Sequence, residues 1–271
     1  MAQDTGKFRK NLKDQFYTQT NVAAYCVECI LAACPSEYTW VEPSAGDGVF
    51  LRHVPSHVKR IALDIDPKAD GIHQQDYLTW TPPEEPLLVF GNPPFGRQSV
   101  LAKSFITKSC QFASVVAFIL PRSFTKPSMY QVFPLSFHLI HAHELNSDSF
   151  LLNGNSYDVP CVFQIWQKKD IPRPLPEKIS PQGFRYVKDN SYHFACRRVG
   201  VFAGKCYLNY GTEYSIQSHY FIRLESPEKA AAIVEKMNQH VFPSNTVGPR
   251  SLSQTEINVV LNGVVQSIST I

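Results

Sequence analysis

The chain of 271 residues is long enough for one full α/β domain and a smaller second unit. It has a formal net charge of +3, and no uncharged apolar run reaches the roughly 20 residues that a membrane-spanning helix needs. The polar residues 1–14 lack the apolar core of a signal peptide. Seven cysteines, an odd number, favour a reducing compartment over a disulfide framework, so we expect a soluble intracellular protein.

After its polar start the chain reaches Phe16-Tyr17-Thr18 and then changes to helical periodicity. Apolar side chains recur there at three- and four-residue spacing, which predicts a helix that begins near Thr20 and ends near Pro35. Cys26 and Cys29 form a CxxC on this helix, but no second CxxC or histidine pair completes a zinc site. We therefore expect both cysteines on the buried face of the helix, and no metal.

A glycine-containing turn follows the strand predicted at residues 38–41. Residues 42–50 read EPSAGDGVF, in which Gly46 and Gly48 allow positive φ and a close approach of a ligand to the backbone. This is not the GxGxxG dinucleotide fingerprint, because an acidic residue opens the turn and the third glycine is absent. Glu42 would repel a pyrophosphate and attract a cation or an amino group. We expect a helix to start directly after this turn.

Three further predicted strands also end in polar side chains. The strand at residues 60–63 is followed by Asp64-Ile65-Asp66-Pro67, where Asp64 can accept hydrogen bonds from ribose hydroxyls and Asp66 can cap a helix opened by Pro67. A short third strand leads to Asp76-Tyr77, and an apolar fourth strand, residues 87–90, leads to Asn92. Because strand ends meet at one edge of a parallel sheet, four residues outline one pocket: Glu42, Asp64, Asp76 and Asn92.

The loop Asn92-Pro93-Pro94-Phe95 follows the fourth strand directly. Its prolines stiffen the backbone, and Pro93 biases Asn92 away from helical conformation. The loop can thus present a carboxamide and main-chain carbonyls beside the ring of Phe95. Fixed acceptors next to an aromatic plane suit a planar base that bears an amino group. A proline-rich turn closed by a core aromatic is the competing interpretation of these four residues alone.

The predicted elements continue to alternate after this loop. Residues 98–112 have the spacing of a helix. Arg122 lies at the tip of the next strand, and Tyr157 lies in a loop rich in Asn, Ser and Gly that we expect on the pocket side of the sheet. The remaining strands of the sheet are predicted at residues 115–120, 137–145 and 159–166.

The proline-rich segment 171–181 is a predicted linker between a domain of residues 1–170 and a smaller unit of residues 182–271. Residues 1–170 contain 15 Lys and Arg against 16 Asp and Glu, whereas residues 171–271 contain 11 against 7. The C-terminal part is therefore the basic one. Its expected partner is a polyanion, although a solvated surface has the same composition.

The smaller unit is predicted to combine β-strands with two helices. Arg197, Arg198 and Lys205 alternate with Tyr207 and Tyr210, a combination that suits phosphates and unstacked bases but also occurs on exposed sheet faces. Strands are predicted at residues 184–187, 193–196, 199–202 and 220–224. Helices are predicted at residues 227–237 and 253–261, the second ended by Gly263.

In this order the motifs resemble those of the gamma-type adenine-N6 DNA methyltransferases, a group of S-adenosylmethionine-dependent amino-methyltransferases. The resemblance covers residues 14–170, from Phe16-Tyr17-Thr18 to the Asn-Pro-Pro-Phe loop, and the separate basic unit follows as in that family. It implies a Rossmann-like class I methyltransferase fold: a seven-stranded, mostly parallel sheet with an antiparallel last strand, plus a small α+β target-recognition unit. It also implies S-adenosyl-L-methionine as cofactor and favours DNA over RNA as partner.

The resemblance implies a cofactor site along the four strand ends. Thr18 and Glu42 would lie near the methionine end of the cofactor. Asp64 would hold its ribose hydroxyls, and Asp76 would accept a hydrogen bond from its adenine amino group. The other implied cofactor contacts are Phe16, Ser44, Ala45, Gly46, Gly48, Ile65, Tyr77 and Asn92.

The resemblance also implies a catalytic loop. Asn92 and the carbonyl of Pro93 would accept the two hydrogens of the target amine, Pro94 would stiffen the loop, and Phe95 would stack on a base flipped out of a duplex. Two acceptors draw the amine nitrogen toward tetrahedral geometry, so catalysis is mostly positioning and electrostatics. Further substrate contacts are predicted from Arg122, Tyr157, Arg197, Arg198 and Lys205.

Other assignments stay open at this point. Asn-Pro-Pro-aromatic loops also occur in RNA adenine-N6, ribosomal guanine-N2 and protein glutamine-N5 methyltransferases, and an inactive methyltransferase-like subunit would share the fold. An RNA base is the main alternative substrate. Pro160-Cys161 resembles the nucleophile of cytosine-C5 methyltransferases, but it follows the amide loop and opens an apolar strand, so we expect Cys161 in the core. The sequence does not determine an oligomeric state.

Overall fold

The computed structural model describes residues 17–34, 37–152, 154–175, 177, 179–243 and 250–269. The chain divides into two compact units, Met1–Leu175 and Pro176–Ile271. The predicted cofactor contact of Phe16 lies outside the described residues. Within the described ranges, no helix is both long enough and apolar enough to cross a membrane.

A seven-stranded sheet forms the centre of the first unit, in the spatial order β4-β3-β2-β5-β6-β10-β7. Strands β2 to β6 pair in parallel, whereas β10 is antiparallel to both β6 and β7. The predicted Rossmann-like class I methyltransferase fold, with its antiparallel last strand, is confirmed. The strands of the unit are, in chain order, Tyr17–Thr18 (β1), Thr39–Glu42 (β2), Arg60–Asp64 (β3), His73–Gln74 (β4), Leu87–Gly91 (β5), Val115–Pro121 (β6), Phe137–Glu144 (β7), Phe150–Leu152 (β8), Asn155–Tyr157 (β9) and Cys161–Lys168 (β10).

The central strands are buried on both of their faces. Strands β5 (LLVFG) and β6 (VVAFILP) are buried at every position, which explains why neither shows alternating polarity. Helices Thr20–Ala33 (α1) and Val100–Ser109 (α2) are the α-helices described in this unit. Cys26 lies on the buried face of α1 as predicted, while Cys29 is partly exposed.

Two helices predicted between β2 and β4 are absent. Residues 43–58 form consecutive turns, and residues 65–72 contain no helix opened by Pro67. Only six residues separate Gly48 from Pro55, too few to stabilise a helix that Pro55 would then end. The segment after Asp66 is held instead by the Lys68 amide, which donates to the Gly46 carbonyl at 2.9 Å.

A small three-stranded sheet, β1-β8-β9, lies within the segments predicted as loops. Strands β8 and β9 form an antiparallel hairpin in the Asn-, Ser- and Gly-rich loop, and β1 pairs with the outer side of β8. The register places Thr18 opposite Phe150 and Phe150 opposite Tyr157. This hairpin was not predicted, because short polar strands have no periodicity distinguishable from a loop.

The second unit is an antiparallel sheet packed against two helices, in the strand order β11-β14-β12-β13. Residues of the sheet and of both helices share one apolar core, which includes Phe194, Ile222, Met237, Ile257 and Leu261. The α+β expectation for this unit agrees with the observed elements. They are Phe184–Val187 (β11), Phe194–Arg197 (β12), Cys206–Leu208 (β13), His219–Leu224 (β14), Ala230–Gln239 (α3) and Gln254–Ser269 (α4).

Three predictions for the second unit are wrong. Residues 199–202 are not a strand: Val199 makes an isolated bridge with Ser251, and the chain then turns. The left-handed glycines Gly200 and Gly204, at φ of 89° and 99°, reverse its direction. Strand β13 was missed because it has only three residues. Helix α4 continues through Gly263 to Ser269, since packing against the core outweighs a glycine cost of about 1 kcal/mol.

Candidate cofactor and target-amine site

A cavity of about 380 Å³ opens at the ends of β2, β3 and β5. The order of the sheet reverses between β2 and β5, and ligands of open α/β sheets bind at such a switch point. Of the residues predicted for the site, the cavity lining includes Thr18, Glu42, Ser44, Ala45, Gly46, Asp64, Ile65, Asp76, Tyr77, Asn92, Pro93, Pro94 and Phe95.

The charged groups of this cavity are all acidic. Its lining contains no Lys, Arg or His among the residues that the structure describes. A cavity with this lining disfavours phosphates and favours a cationic ligand. We call it the acidic cavity; its carboxylates are Glu42, Asp47, Asp64, Asp66 and Asp76.

Glu42 is the most deeply buried of these carboxylates, with 1% of its surface exposed. Its Oε2 atom has no hydrogen-bond partner within the described chain. Burial raises the pKa of the Glu42 carboxyl well above its usual range, and the charges of Asp47 and Asp64 raise it further while Arg52 opposes them. A Cβ atom at Gly91, where φ is 125°, would lie 3.2 Å from Glu42 Cγ, so glycine is required beside this side chain.

The glycine turn is tied to the end of β3 by Asp64. The Gly46 amide donates to Asp64 Oδ2 at 2.7 Å, and the Asp66 amide donates to Asp64 Oδ1 at 2.8 Å. Each carboxylate oxygen has two acceptor positions, so Asp64 can still accept from ligand hydroxyls. Gly46 and Gly48 have φ of 54° and 75°, as expected for a turn that needs left-handed backbone.

Asn92 connects the amide loop to β1 and to the glycine turn. Its side-chain Nδ2 donates to Thr18 Oγ1 at 3.2 Å, and its main-chain carbonyl accepts from Ser44 Oγ at 3.1 Å. The first bond fixes the orientation of the Asn92 carboxamide. Sequence reasoning placed Thr18, Ser44 and Asn92 in one site but did not foresee that they bond to one another.

The residues after Phe95 hold the loop in an unusual backbone path. Gly96 has φ of 67°, and a Cβ atom there would lie 2.8 Å from Leu101 Cγ. Gln98 and Ser99, at φ of 53° and 59°, are left-handed although neither is glycine. Such residues cost about 1–3 kcal/mol each and cluster at ligand sites. This path delays the start of α2 from the predicted residue 98 to residue 100.

Tyr77 contributes to the wall of the acidic cavity rather than to an open face. It is 1% exposed, its ring centroid lies 5.1 Å from that of Phe105, and its hydroxyl is 2.7 Å from Ser109 Oγ. Asp76 Oδ1 accepts from the Leu78 amide at 2.9 Å. Phe105 of α2 and Leu78 of the loop that follows β4 also line the cavity. Sequence reasoning missed both residues, because neither lies at the end of a predicted strand.

The remaining predicted residues do not line the acidic cavity, and Gly48 of the glycine turn is one of them. Arg122 forms an ion pair with Glu144 at 3.2 Å. Cys161 is fully buried at the start of β10, as predicted, and burial raises the pKa of its thiol. Arg197, Arg198 and Lys205 belong to the second unit, and Tyr157 lies on β9. No cluster of His, Cys, Asp and Glu suited to a metal occurs among the described residues.

No protein-family profile and no curated protein sequence matches the chain. Among solved structures, a proposed RNA methyltransferase of Pyrococcus horikoshii is 18% identical, covering 59% of this chain and 90% of its own, at a TM-score of 0.45. The 23S rRNA methyltransferase ErmE is 13% identical, covering 60% of this chain and 73% of its own, at a TM-score of 0.45. The M protein of the type I restriction enzyme EcoKI is 16% identical, covering 59% of this chain and 45% of its own, at a TM-score of 0.46. TM-scores below 0.5 assign neither family nor function.

Proposed function

We propose that the chain is an S-adenosyl-L-methionine-dependent methyltransferase that modifies the exocyclic N6 amine of adenine in DNA. The observation that carries the proposal is the acidic cavity at the switch point of the sheet. Five carboxylates and no Lys, Arg or His line it among the described residues, although Asp47 pairs with Arg52 at 3.4 Å and Asp66 with Lys68 at 2.7 Å outside the lining. Such a lining suits a ligand with a positive charge and without phosphates. When bound, the cofactor supplies an electrophilic methyl group on a positively charged sulfur.

The residues of the cavity fit the parts of this cofactor. Glu42, buried and with an unpartnered Oε2, suits the ammonium group of the methionine part. Asp64 is fixed by two backbone amides in a position to accept from ribose hydroxyls. The apolar wall formed by Tyr77, Leu78 and Phe105 suits the flat adenine ring, with Asp76 beside it as an acceptor.

The amide loop supplies the acceptors for the target amine. In the proposal, Thr18 fixes Asn92 Nδ2, Asn92 Oδ1 accepts one hydrogen of the target amine, and the main-chain carbonyl of Pro93 accepts the other. Phe95 lines the same cavity and provides a ring on which a base can stack. Tyr157 shares a row of the small sheet with Phe150 and Thr18, which supports its assignment to the target-base side.

The units divide this work between them in the proposal. The first unit is the cofactor-binding methyltransferase domain, with Arg122 as a further substrate contact. The second unit is the target-recognition domain, and its Arg197, Arg198 and Lys205 bind the nucleic acid strand. Their positive charge in the more basic part of the chain supports this division.

The proposal is tested by incubating the full chain with labelled S-adenosyl-L-methionine and separate pools of DNA, RNA and protein. Nucleoside analysis of the labelled product should yield N6-methyladenine from DNA. Asn92→Ala should lower the rate of methyl transfer by about 100- to 1000-fold, because one of the two fixed acceptors is lost. Gln239→Ala removes an exposed amide at the end of α3 and should leave the rate unchanged.

Each result has a distinct meaning. Transfer that survives Asn92→Ala contradicts the assigned site. Label found only in RNA contradicts the DNA assignment and favours an RNA base as substrate. Cofactor binding without transfer to any pool favours an inactive methyltransferase-like subunit.

A further inference from the structure

The turn at residues 199–204 presents two apolar side chains to solvent. Val201 is 86% exposed and Phe202 is 64% exposed, whereas the next residue, Ala203, is buried in the core of the second unit. Val241, 84% exposed, precedes Phe242, whose ring lies directly against Gly204. We call Val201 and Phe202 the apolar tip. Nothing in the packing of the described residues of the second unit requires these side chains to be apolar.

The backbone beneath the apolar tip is held in one conformation. The Ala203 amide donates to the Gly200 carbonyl and the Lys205 amide to the Phe202 carbonyl, both at 3.0 Å. The Gly204 amide donates to the Arg197 carbonyl at 2.7 Å. A Cβ atom at Gly204 would lie 2.5 Å from the ring of Phe242, so the turn is seated against the core. The backbone that carries Phe202 is therefore preorganised, which lowers the entropy lost when a partner covers the ring.

The charged residues that neighbour the apolar tip in the sequence are positive. Arg197 Nε donates to the Val199 carbonyl at 3.1 Å, and Lys205 is exposed directly after the turn. Arg198 stacks over the ring of Tyr220 at 5.0 Å. Residues 190–212 contain no Asp or Glu. An apolar protrusion with cations at its base complements a polyanion that also offers flat apolar surfaces.

We propose that the apolar tip is a wedge that inserts beside an unstacked base of a nucleic acid strand, while Arg197 and Lys205 contact the adjoining phosphates. Apolar side chains inserted at base steps are a known way to unstack nucleic acid, and aromatic stacking is tolerant of sequence. The inference rests on the proposed function in that the partner is nucleic acid. It adds which residues enter the strand and what they do there.

The experiment measures binding of the full chain to fluorescein-labelled DNA and RNA, duplex and single-stranded, by fluorescence anisotropy. Phe202→Ala should weaken binding by about 5- to 100-fold, the equivalent of one lost aromatic–base stack. Phe202→Trp should retain the affinity. Val259→Ala removes a comparably exposed apolar side chain from α4 and serves as the matched control, expected to bind as the wild type does.

A second measurement separates a wedge from simple surface contact. A strand that carries 2-aminopurine should brighten when the wild type binds and unstacks the base, and it should stay dim with Phe202→Ala at saturating protein. Wild-type affinity in Phe202→Ala, with unchanged 2-aminopurine signal, overturns the wedge but leaves the proposed methyl transfer standing. A wild type that binds neither DNA nor RNA overturns both. Binding to phosphatidylserine vesicles that depends on Phe202 would make the tip a membrane contact and also overturn the inference.

Discussion

The acidic cavity of the first unit and the apolar tip of the second unit carry opposite charge patterns. The cavity is concave, its charged lining is acidic, and it suits a small cation. The tip is convex, and its neighbouring charges are positive from residue 190 to residue 212. One chain thus contains a site that repels phosphates in its first unit and, in its second unit, a surface that attracts them.

The side chains of the two regions also differ in their effect on the stability of the folded units. Glu42 is a buried carboxyl among other carboxylates, so its ionised form destabilises the folded first unit. Phe202 is largely exposed, so removing its ring leaves no cavity in the second unit. We therefore expect changes in the cavity to alter both stability and ligand affinity, and changes at the tip to alter affinity alone.

The largest effect is expected from Gly91→Ala. The new Cβ atom would meet Glu42 Cγ at 3.2 Å, and the backbone φ of 125° is strained for alanine. We expect the free energy of unfolding of the first unit to fall by about 3 kcal/mol, from strain and overpacking together. The three tryptophans, Trp40, Trp80 and Trp166, all belong to this unit, so urea unfolding followed by tryptophan fluorescence measures it selectively.

The matched control for this substitution is Gly71→Ala. Gly71 also has a positive φ, 78° against 125° at Gly91, but no atom lies within 4 Å of an added Cβ. Only backbone strain applies there, about 1 kcal/mol. Equal losses in the two variants would show that the contact with Glu42 does not crowd Gly91.

A smaller effect is expected from Glu42→Gln on the binding of S-adenosyl-L-methionine. Because the folded-state pKa of Glu42 is raised, wild-type affinity should increase with pH as the carboxyl ionises and pairs with the cofactor ammonium. Affinity is measured only below a pH of about 8, the pKa of an α-amino group, so that the cofactor ammonium stays charged. Glu42→Gln should weaken binding by about 10- to 100-fold at the upper end of this range and abolish the pH dependence. Calorimetric titration measures the cofactor affinity and its pH dependence. A pH-dependent affinity in Glu42→Gln would contradict the role of Glu42.

The raised pKa of Glu42 also predicts the direction in which the stability of the first unit changes with pH. A carboxyl whose pKa is raised in the folded state contributes stability below its unfolded-state pKa and loses it as pH rises through the folded-state pKa. The free energy of unfolding of the first unit should therefore decrease with rising pH in the wild type. In Glu42→Gln the decrease should be smaller, and parallel pH profiles of the two proteins would exclude Glu42 as its source.

The smallest effect is expected at the cationic base of the apolar tip. Lys205→Ala should weaken nucleic acid binding a few-fold and reduce the slope of log affinity against log salt by about 0.9, the loss of one phosphate contact. Cofactor affinity should not change. Lys236→Ala removes a lysine from α3, where it bonds Ser267 Oγ, and serves as the control. An equal slope in wild type and Lys205→Ala would place Lys205 outside the nucleic acid contact.

Much of the first unit followed from local patterns in the sequence. Buried runs such as residues 87–90 predicted strands, and the polar residues that end four of them predicted one pocket, because parallel strands present their ends at one edge. The helices expected after Gly48 and at Pro67 were wrong, since the apolar segments there are too short to stabilise a helix without tertiary packing. In the second unit, residues 199–202 were assigned to a strand because apolar residues beside a glycine look the same in a strand and in a turn.

By itself the sequence determined the class of sheet, the position of the acidic cavity and most of its lining, because these depend on the order and polarity of strand ends. Only the tertiary structure decided which side chains bond to one another: Thr18 with Asn92, Ser44 with the Asn92 carbonyl, and Asp64 with the Gly46 amide. It alone buried Glu42 beside Gly91 and exposed Phe202 on a fixed turn. Burial and exposure depend on contacts between residues far apart in the chain, and local patterns carry no record of those contacts.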